Sequence, residues 1–357
     1  METFTIPSVF EALDSVMKYY PNNFNEKAKV EIETLFSHCL EGLSNDSEKF
    51  LSTLFIKSLK RRVGHTSINE HIYLKKYELP QIHLFNILIK EFPFVQISQQ
   101  ITNGIIIDLM KNANEVTIID IGIGQGTQII NLLESSKGLN NLKKVKIIGI
   151  EPFKDAIDKA SADITALSNH LPFDVEFVGV NDFIENVDFE QFKSDEGIII
   201  VNASLALHHI QTLNQRYAVI AKVKSINPAA FLLIEPNIDH FEPNFYKRFQ
   251  NCYRHFYNIF RVVDQLNIDS SDKNGLKLFF GREIEDIIGK SENERYERHE
   301  PAYMWIEKLT VNNFKIKRNF NNVPSSSKAG IKINIHKEGY LGFTFETETI
   351  LSVIYAA

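Results

Sequence analysis

An α/β fold is predicted, with a mainly parallel seven-stranded sheet that ends in an antiparallel hairpin and with a helical cap before it. Three observations lead there. Val116 to Gly126 reads as an apolar strand running into three glycines spaced two apart, with the apolar helix pattern of Ile129, Ile130, Leu132 and Leu133 behind them. From that point strand and helix patterns alternate, which implies a parallel sheet with right-handed crossovers and a binding crevice at the carboxyl ends of its strands. Near the end of the sequence Ile331 to Ile335 and Tyr340 to Phe345 alternate with period two around His336 to Gly339, and Ile350 to Tyr355 follows as a last apolar strand.

The bulk composition limits the classes of function. With 357 residues, 44% of them hydrophobic, there is enough material for one large domain or for a core with a cap. A net charge of −6 argues against a nucleic-acid partner, which calls for a basic face. Cys39 and Cys252 lie far apart with no Cys-x-x-Cys or His cluster beside them, so neither a disulfide framework nor a metal site is expected. The first twenty residues lack a basic, apolar leader, and no run reaches the ~18 apolar residues of a membrane span. A soluble cytoplasmic protein without a membrane partner is the expectation.

In chain order, residues 1–112 carry helical periodicity and form the expected cap. Phe10, Leu13 and Met17 share a face; Val30 to Leu40 gives a second helix, Asn45-Asp46 a turn, and Glu48 to Lys60 a third helix with a basic, solvated end at Lys57, Lys60, Arg61 and Arg62. Ile82 to Ile89 and Gln96 to Met110 add two more, punctuated by Pro93. Residues 113–357 form the expected core, with a helical insertion at about 238–275 that contributes to the cap.

The motif Asp120-x-Gly122-x-Gly124-Gln125-Gly126 carries the functional reading. Glycines let a backbone approach a ligand where a Cβ would collide, and the N-terminus of the following helix offers unpaired N–H groups. The acid inside the motif is the spacing of S-adenosylmethionine sites, whereas the dinucleotide fingerprint has its acid only at the end of the next strand. A plain tight turn is the bland alternative. Strand two, Val145 to Ile150, ends at Glu151, placed to accept the ribose hydroxyls of an adenosine. Strand three delivers Asn181 and Asp182, which suit an adenine amino group or a simple turn and cap equally well. Strand four, Gly197 to Val201, is followed by Asn202, Ala203 and the paired His208 and His209, while strand five ends at Glu235 with His240 shortly after. A base near neutral pH is sought among His208, His209, Glu235 and His240, although a satisfied structural histidine is the more ordinary role for each. Phe241 to Leu266 reads as an amphipathic aromatic helix, Gly281 to Ile284 as the start of a further helix, Glu294 to Glu300 as an ion-paired or solvated face, and Lys315 to Lys317 as a sixth strand.

Together these stretches resemble the GRAS domain, which has fold kinship with Rossmann-like class I methyltransferases. Val116-Thr117-Ile118-Ile119-Asp120 is similar to the family's VHIID block with Thr117 in place of histidine; Pro236, Phe256-Tyr257 and Arg282-Glu283 are similar to PFYRE. Arg295 to Glu300 followed by Trp305 resembles its charged helix, and Ser352 to Tyr355 occupies the place of the SAW block without its tryptophan. The resemblance implies two branches: plant regulators, which commonly lack an acid at the position of Glu151, and bacterial members thought to methylate small molecules.

Glu151 therefore favours an enzyme. The first expectation is a methyltransferase that uses S-adenosylmethionine, releases S-adenosylhomocysteine, and acts on a small-molecule acceptor between core and cap. The second is a non-catalytic regulatory module of the GRAS type that binds a ligand or a partner protein. An NAD-dependent oxidoreductase is the third, disfavoured by the acid's position and the antiparallel ending. A homodimer is left open.

Overall fold

A computed structural model describes residues 8–19, 25–40, 47–63, 81–194, 196–320, 323–324 and 328–357. The expected Asn45-Asp46 turn lies outside the described residues, as do the first seven residues, most of the polar stretch 321–327 and the side chains of Ile82, His83, Phe85 and Asn86. The chain begins with α1 (Ser8–Tyr19), α2 (Glu26–Leu40), α3 (Ser47–Val63), α4 (Gln81–Glu91) and α5 (Pro93–Met110). Then come β1 (Glu115–Ile121), α6 (Thr127–Ser135), β2 (Lys144–Ile150), α7 (Lys154–Ser168), β3 (Asp174–Val180), β4 (Ile198–Ser204), α8 (Leu213–Ser225) and β5 (Ala230–Pro236). The remainder is α9 (Phe245–Gln265), α10 (Ser270–Ile284), α11 (Ala302–Val311), β6 (Ile316–Lys317), β7 (Ile331–Ile335), β8 (Leu341–Phe345) and β9 (Glu348–Ala356).

The strands join one sheet in the order β3-β2-β1-β4-β5-β9-β8-β7, with β6 pairing β9. The five strands from β3 to β5 are parallel, and β9 runs antiparallel to β5. This is the predicted fold class, a Rossmann-like core closed by an antiparallel hairpin. Its sheet holds nine strands instead of seven, because the two-residue β6 and the outer β7 both add beyond β5. The central strands are apolar runs buried on both faces, Ile- and Val-rich in β1 and β4 and Phe-Leu-Leu-Ile in β5, as helix-covered parallel sheets require. β4 extends three residues past its expected end, so Asn202, Ala203 and Ser204 are part of the strand.

Two compact units divide the chain. The sheet unit comprises Pro93–Asn237, Glu300–Thr344 and Leu351–Ala357; the helical unit comprises Met1–Phe92, Ile238–His299 and Phe345–Ile350. The boundary falls at Phe92, ahead of the expected 112, because α5 packs as a covering helix of the sheet unit. Asn103 Nδ2 of α5 donates to the Gln128 carbonyl of α6 at 3.2 Å, and Gln128 Nε2 donates back to Thr102 Oγ1 at 3.1 Å and Asn103 Oδ1 at 3.2 Å. The insertion likewise runs to His299 rather than 275.

Within the helical unit α9 presents Phe249, Cys252, Tyr253, Phe256, Ile259, Phe260 and Val263 inward, all buried, so the amphipathic aromatic helix forms as its spacing predicts. Asn244 caps it by accepting from the Lys247 amide at 3.0 Å. Gly281 to Ile284 closes α10 where a helix start was expected. A Cβ at Gly281 would stand 3.1 Å from the Leu54 side chain, so this glycine lets α3 and α10 approach closely and does not mark a helix entry.

Candidate functional site

In the sheet unit, the three glycines of the β1–α6 turn all have positive φ: +74° at Gly122, +53° at Gly124 and +77° at Gly126. Side-chain-bearing residues rarely adopt this region, which is why the motif needs glycine. The amides of Gly122 and Ile123 donate to the Ile150 carbonyl at 2.9 and 3.3 Å, tying the turn to the end of β2. Gly126 is the N-cap of α6 and supplies no side chain, so the first amides of the helix carry no side-chain cap. The glycines differ in what lies beside them. A Cβ on Gly122 would meet the Ala206 Cβ at 2.6 Å and one on Gly126 the Ala160 Cβ at 3.1 Å, whereas nothing lies within 4 Å of one on Gly124. Two glycines thus serve packing, and Gly124 faces open space; Gln125 beside it is half-buried.

Glu151 stands where the sequence placed it, at the end of β2. Its Oε2 accepts from the Gly124 amide at 3.1 Å and its Oε1 from the Phe153 amide at 3.3 Å. Burial pushes this carboxyl above its ordinary range, against the two backbone hydrogen bonds. Each oxygen keeps a further lone pair. Asn181 and Asp182 are exposed: Asn181 Nδ2 donates to the carbonyls of Glu151 and Pro152 at 3.1 and 2.9 Å, while Asp182 Oδ1 accepts from the Phe183 amide at 2.7 Å and Asn186 Nδ2 at 2.8 Å. Asp182 therefore has the geometry of a turn cap.

Beneath the turn lies a buried polar chain. Asn202 Nδ2 donates to Asp120 Oδ1 at 2.7 Å and approaches Gln128 Oε1 at 3.4 Å, while Asn202 Oδ1 has no hydrogen-bond partner; Ala203 is fully buried beside it. Burial pushes the Asp120 carboxyl up to about 7, with the Asn202 hydrogen bond opposing and the Glu151 charge adding to the rise. Its folded value therefore lies above the ~3.9 of an unfolded aspartate. The folded state holds the proton longer, so this contribution to stability is complete below about pH 4 and is lost as pH rises through about 7, by up to about 1.4 kcal/mol per pH unit. Asp120→Asn keeps the shape without the titration and is expected to flatten the pH dependence of urea denaturation across that window; an unchanged slope would show that Asp120 does not cause it.

The proposed bases fall into two groups. His208 and Glu235 come together: Glu235 Oε2 lies 2.6 Å from His208 Nδ1, and Glu235 Oε1 accepts from the Leu207 amide at 2.8 Å, with both side chains buried. His209 packs against His208 with its ring tilted by 53°, centroids 4.1 Å apart, and is half-buried. The Leu205 backbone that opens this turn has φ +56°, a rare conformation for leucine. His240 belongs to the helical unit. There its Nδ1 lies 2.7 Å from His299 Nδ1, and burial, helped by His299, His255, Arg295 and Arg248, pushes its pKa well down.

Sequence reasoning missed the partners that hold these residues. Arg216, fully buried, donates from Nε to the Ile210 carbonyl at 3.0 Å and from Nη2 to the His208 carbonyl at 2.8 Å, and its Nη1 pairs with Glu300 Oε2. Lys308 Nζ donates to Glu300 Oε1 at 2.8 Å, and the Arg216 guanidinium lies 4.9 Å from the centroid of the buried Trp305 ring. Gln128, in the first turn after the glycines, was the legible signal; the Arg216–Glu300 pairing spans 84 residues and had none. The expected charged helix at 295–300 is instead extended coil before α11, and of the two readings of its charges the ion-paired one holds: Arg295 and Glu300 are buried in pairs with Glu292 and Arg216. Arg295, Glu297 and His299 alternate inward with period two, the spacing of an extended segment. Ser352, at the place of the SAW block, anchors β9 by donating to the Glu235 carbonyl at 3.0 Å.

The parallel order 3-2-1-4-5, the glycine turn at the first strand's end and the antiparallel closure define a protein of the Rossmann-like methyltransferase fold class. The chain belongs to the GRAS domain family, whose profile matches residues 11–348. It is 24% identical over 330 residues to Chitin-inducible gibberellin-responsive protein 1 of Oryza sativa subsp. japonica, covering 81% of this chain and 58% of that one. It is 25% identical over 302 residues to Scarecrow-like transcription factor PAT1 of Arabidopsis thaliana, covering 79% and 58%. The chain thus spans little more than half the length of these curated relatives. The crystal structure of SCL7 in Oryza sativa superposes with a TM-score of 0.83 at 18% identity, covering 99% of this chain and 100% of that one. These relatives overturn the expectation of a methyltransferase enzyme: they carry the names of responsive proteins and a transcription factor, and the likeness to methyltransferases is one of fold. Among the described residues no helix is long and apolar enough to cross a membrane.

Proposed function

We propose that the chain is a non-catalytic regulatory module of the GRAS type, which binds a small adenosyl ligand at the glycine turn and acts through a partner protein. The Glu235–His208 pair carries this reading: both carboxylate oxygens are engaged, one by the Leu207 amide and one by the imidazole, and the pair lies buried inside a turn braced by Arg216. A general base must reach the proton it takes. This pair instead holds backbone. The names of the relatives point the same way.

The ligand half rests on the open face at Gly124, the spare lone pairs of Glu151 and the unpartnered Asn202 Oδ1, a donor-seeking set that suits ribose hydroxyls and an amino group. S-adenosylmethionine and S-adenosylhomocysteine both present these groups. Isothermal titration of the chain with S-adenosylhomocysteine is expected to give saturable binding, which Gly124→Arg, filling the open space, reduces at least tenfold, about 1.4 kcal/mol. Absence of binding at millimolar ligand, or unchanged binding in Gly124→Arg, would refute the adenosyl site. Turnover of S-adenosylmethionine by the pure protein with a cell extract would refute the non-catalytic part.

A further inference from the structure

The helical unit contains a cluster of arginines gathered on one acid. Arg62 lies in the last turn of α3, Arg248 in the first turn of α9, and Arg295 and Arg298 on the coil that follows α10. Arg248 Nη2 pairs with Glu292 Oε1, Arg295 Nη2 with Glu292 Oε2 at 2.8 Å, and Arg298 Nη1 lies 3.9 Å from the same Oε2. The Phe245 ring draws in Arg62 as well, whose guanidinium sits 4.1 Å from the ring centroid, with that of Arg248 5.3 Å from the same ring. Four fixed positive charges thus converge near one carboxylate.

Their burial is unequal in an informative way. The side chains of Arg248 and Arg295 are 1% and 0% exposed, and that of Glu292 is 49% exposed. The cations are locked in place and the anion stands at the surface. The Nε atoms of Arg248 and Arg295 are buried and have no hydrogen-bond partner. Burial, then repulsion by Arg295, lowers the Arg248 pKa to about 10, while burial of Glu292 is outweighed by Arg295, Arg248 and Arg298, which hold its carboxyl below the usual range. A guanidinium does not relieve such crowding by losing its proton near neutral pH; it is relieved by more negative charge with more acceptor oxygens. Planar guanidinium forks match phosphate oxygens, and several of them around one oxyanion is the arrangement that favours a doubly charged group.

We propose that Arg62, Arg248, Arg295 and Arg298 form a binding site for a phosphate monoester dianion on a small molecule, with Glu292 as the internal anion that yields its place when the phosphate enters. A small molecule fits better than a phosphorylated segment of a folded partner, because Arg248 and Arg295, the two guanidiniums paired with Glu292, are buried behind that half-exposed side chain. This site shares no residue with the glycine turn, so it stands whether or not the adenosyl reading does.

The test uses the full chain with inorganic phosphate and phenyl phosphate as probes, followed by calorimetry and thermal unfolding. Glu292→Gln keeps the shape and removes the competing charge; it is expected to bind phosphate at least tenfold more tightly than the parent chain, and its lowered Tm is expected to recover on adding phosphate. Arg295→Gln is expected to lose the binding, and if that variant fails to fold, Arg62→Gln in the Glu292→Gln background is expected to weaken phosphate at least tenfold. A folded Glu292→Gln variant that shows no heat at millimolar phosphate would overturn the proposal. So would recovery of Tm by sodium chloride at equal ionic strength, or binding of a phosphoserine peptide with none of either small probe.

Discussion

Glu300→Ala is expected to lower the stability of the chain by about 3–5 kcal/mol, the cost of removing one member of a buried ion pair and leaving the other uncompensated. The effect is large because Glu300 answers two cations at once. Its Oε2 pairs with Arg216 and its Oε1 accepts from Lys308 at 2.8 Å, and all three side chains are buried. Burial lowers the Arg216 pKa and the Glu300 charge counters it, so without that carboxylate the guanidinium loses the anion that offsets its burial, while its bonds to two backbone carbonyls and its contact with the Trp305 face stay. Those carbonyls, of His208 and Ile210, belong to the turn that presents Glu235 with its imidazole, so the loss also loosens the candidate site. Urea denaturation gives the number. Replacing all three members, as in Arg216→Met, Lys308→Met and Glu300→Leu together, is expected to cost less than Glu300→Ala alone, since no buried charge is then stranded. A loss below about 1 kcal/mol for Glu300→Ala, the level of a surface pair, would show that the network is not what braces the turn.

The second large effect is expected at Gly122. An alanine there must adopt φ +74°, costing about 1–2 kcal/mol for a side chain in the left-handed region. Its Cβ must also displace the Ala206 Cβ from 2.6 Å, an overpacking of about 1–3 kcal/mol more. Gly122→Ala is therefore expected to destabilise the chain by about 2–5 kcal/mol. Gly124→Ala is the internal comparison: with φ +53° and open space beside it, only the backbone cost of about 1–2 kcal/mol applies. Equal losses for the two variants, measured by thermal and urea unfolding, would show that contact with Ala206 does not set the role of Gly122.

Much of this architecture was legible in the residues because the relevant signals are local. Ile147-Ile148-Gly149-Ile150 followed by Glu151 marks a buried strand and its end without knowledge of anything distant, and the glycines of 122 to 126 announce a turn that only they can make. Helix α9 was legible for the same reason, its aromatic residues recurring at three and four. At Arg295 to Glu300 the choice between an ion-paired and a solvated face could not be made from the residues, because the burial of Arg295 depends on His240 and Glu292, the first of them 55 residues away along the chain. Gly281 misled, since its reason is the Leu54 side chain of another helix.

The first strand and its glycine turn, the acid at the end of the second, the strand–helix alternation of a parallel sheet and the hairpin pattern at its close were determined by the sequence alone, through backbone conformations and hydrophobic periods that need no partner. What the polar residues do was decided by the tertiary structure. Asp120 becomes a raised carboxyl only when the folded sheet buries it, with the hydrogen bond from Asn202 of β4 opposing the rise, and Glu235 becomes a brace only when His208 and the Leu207 amide close on it. A carboxylate's chemistry is set by burial, neighbouring charge and hydrogen bonds. None of these is a property of its place in the chain, which is why the fold could be read from the residues while the expectation of an enzyme could not be sustained.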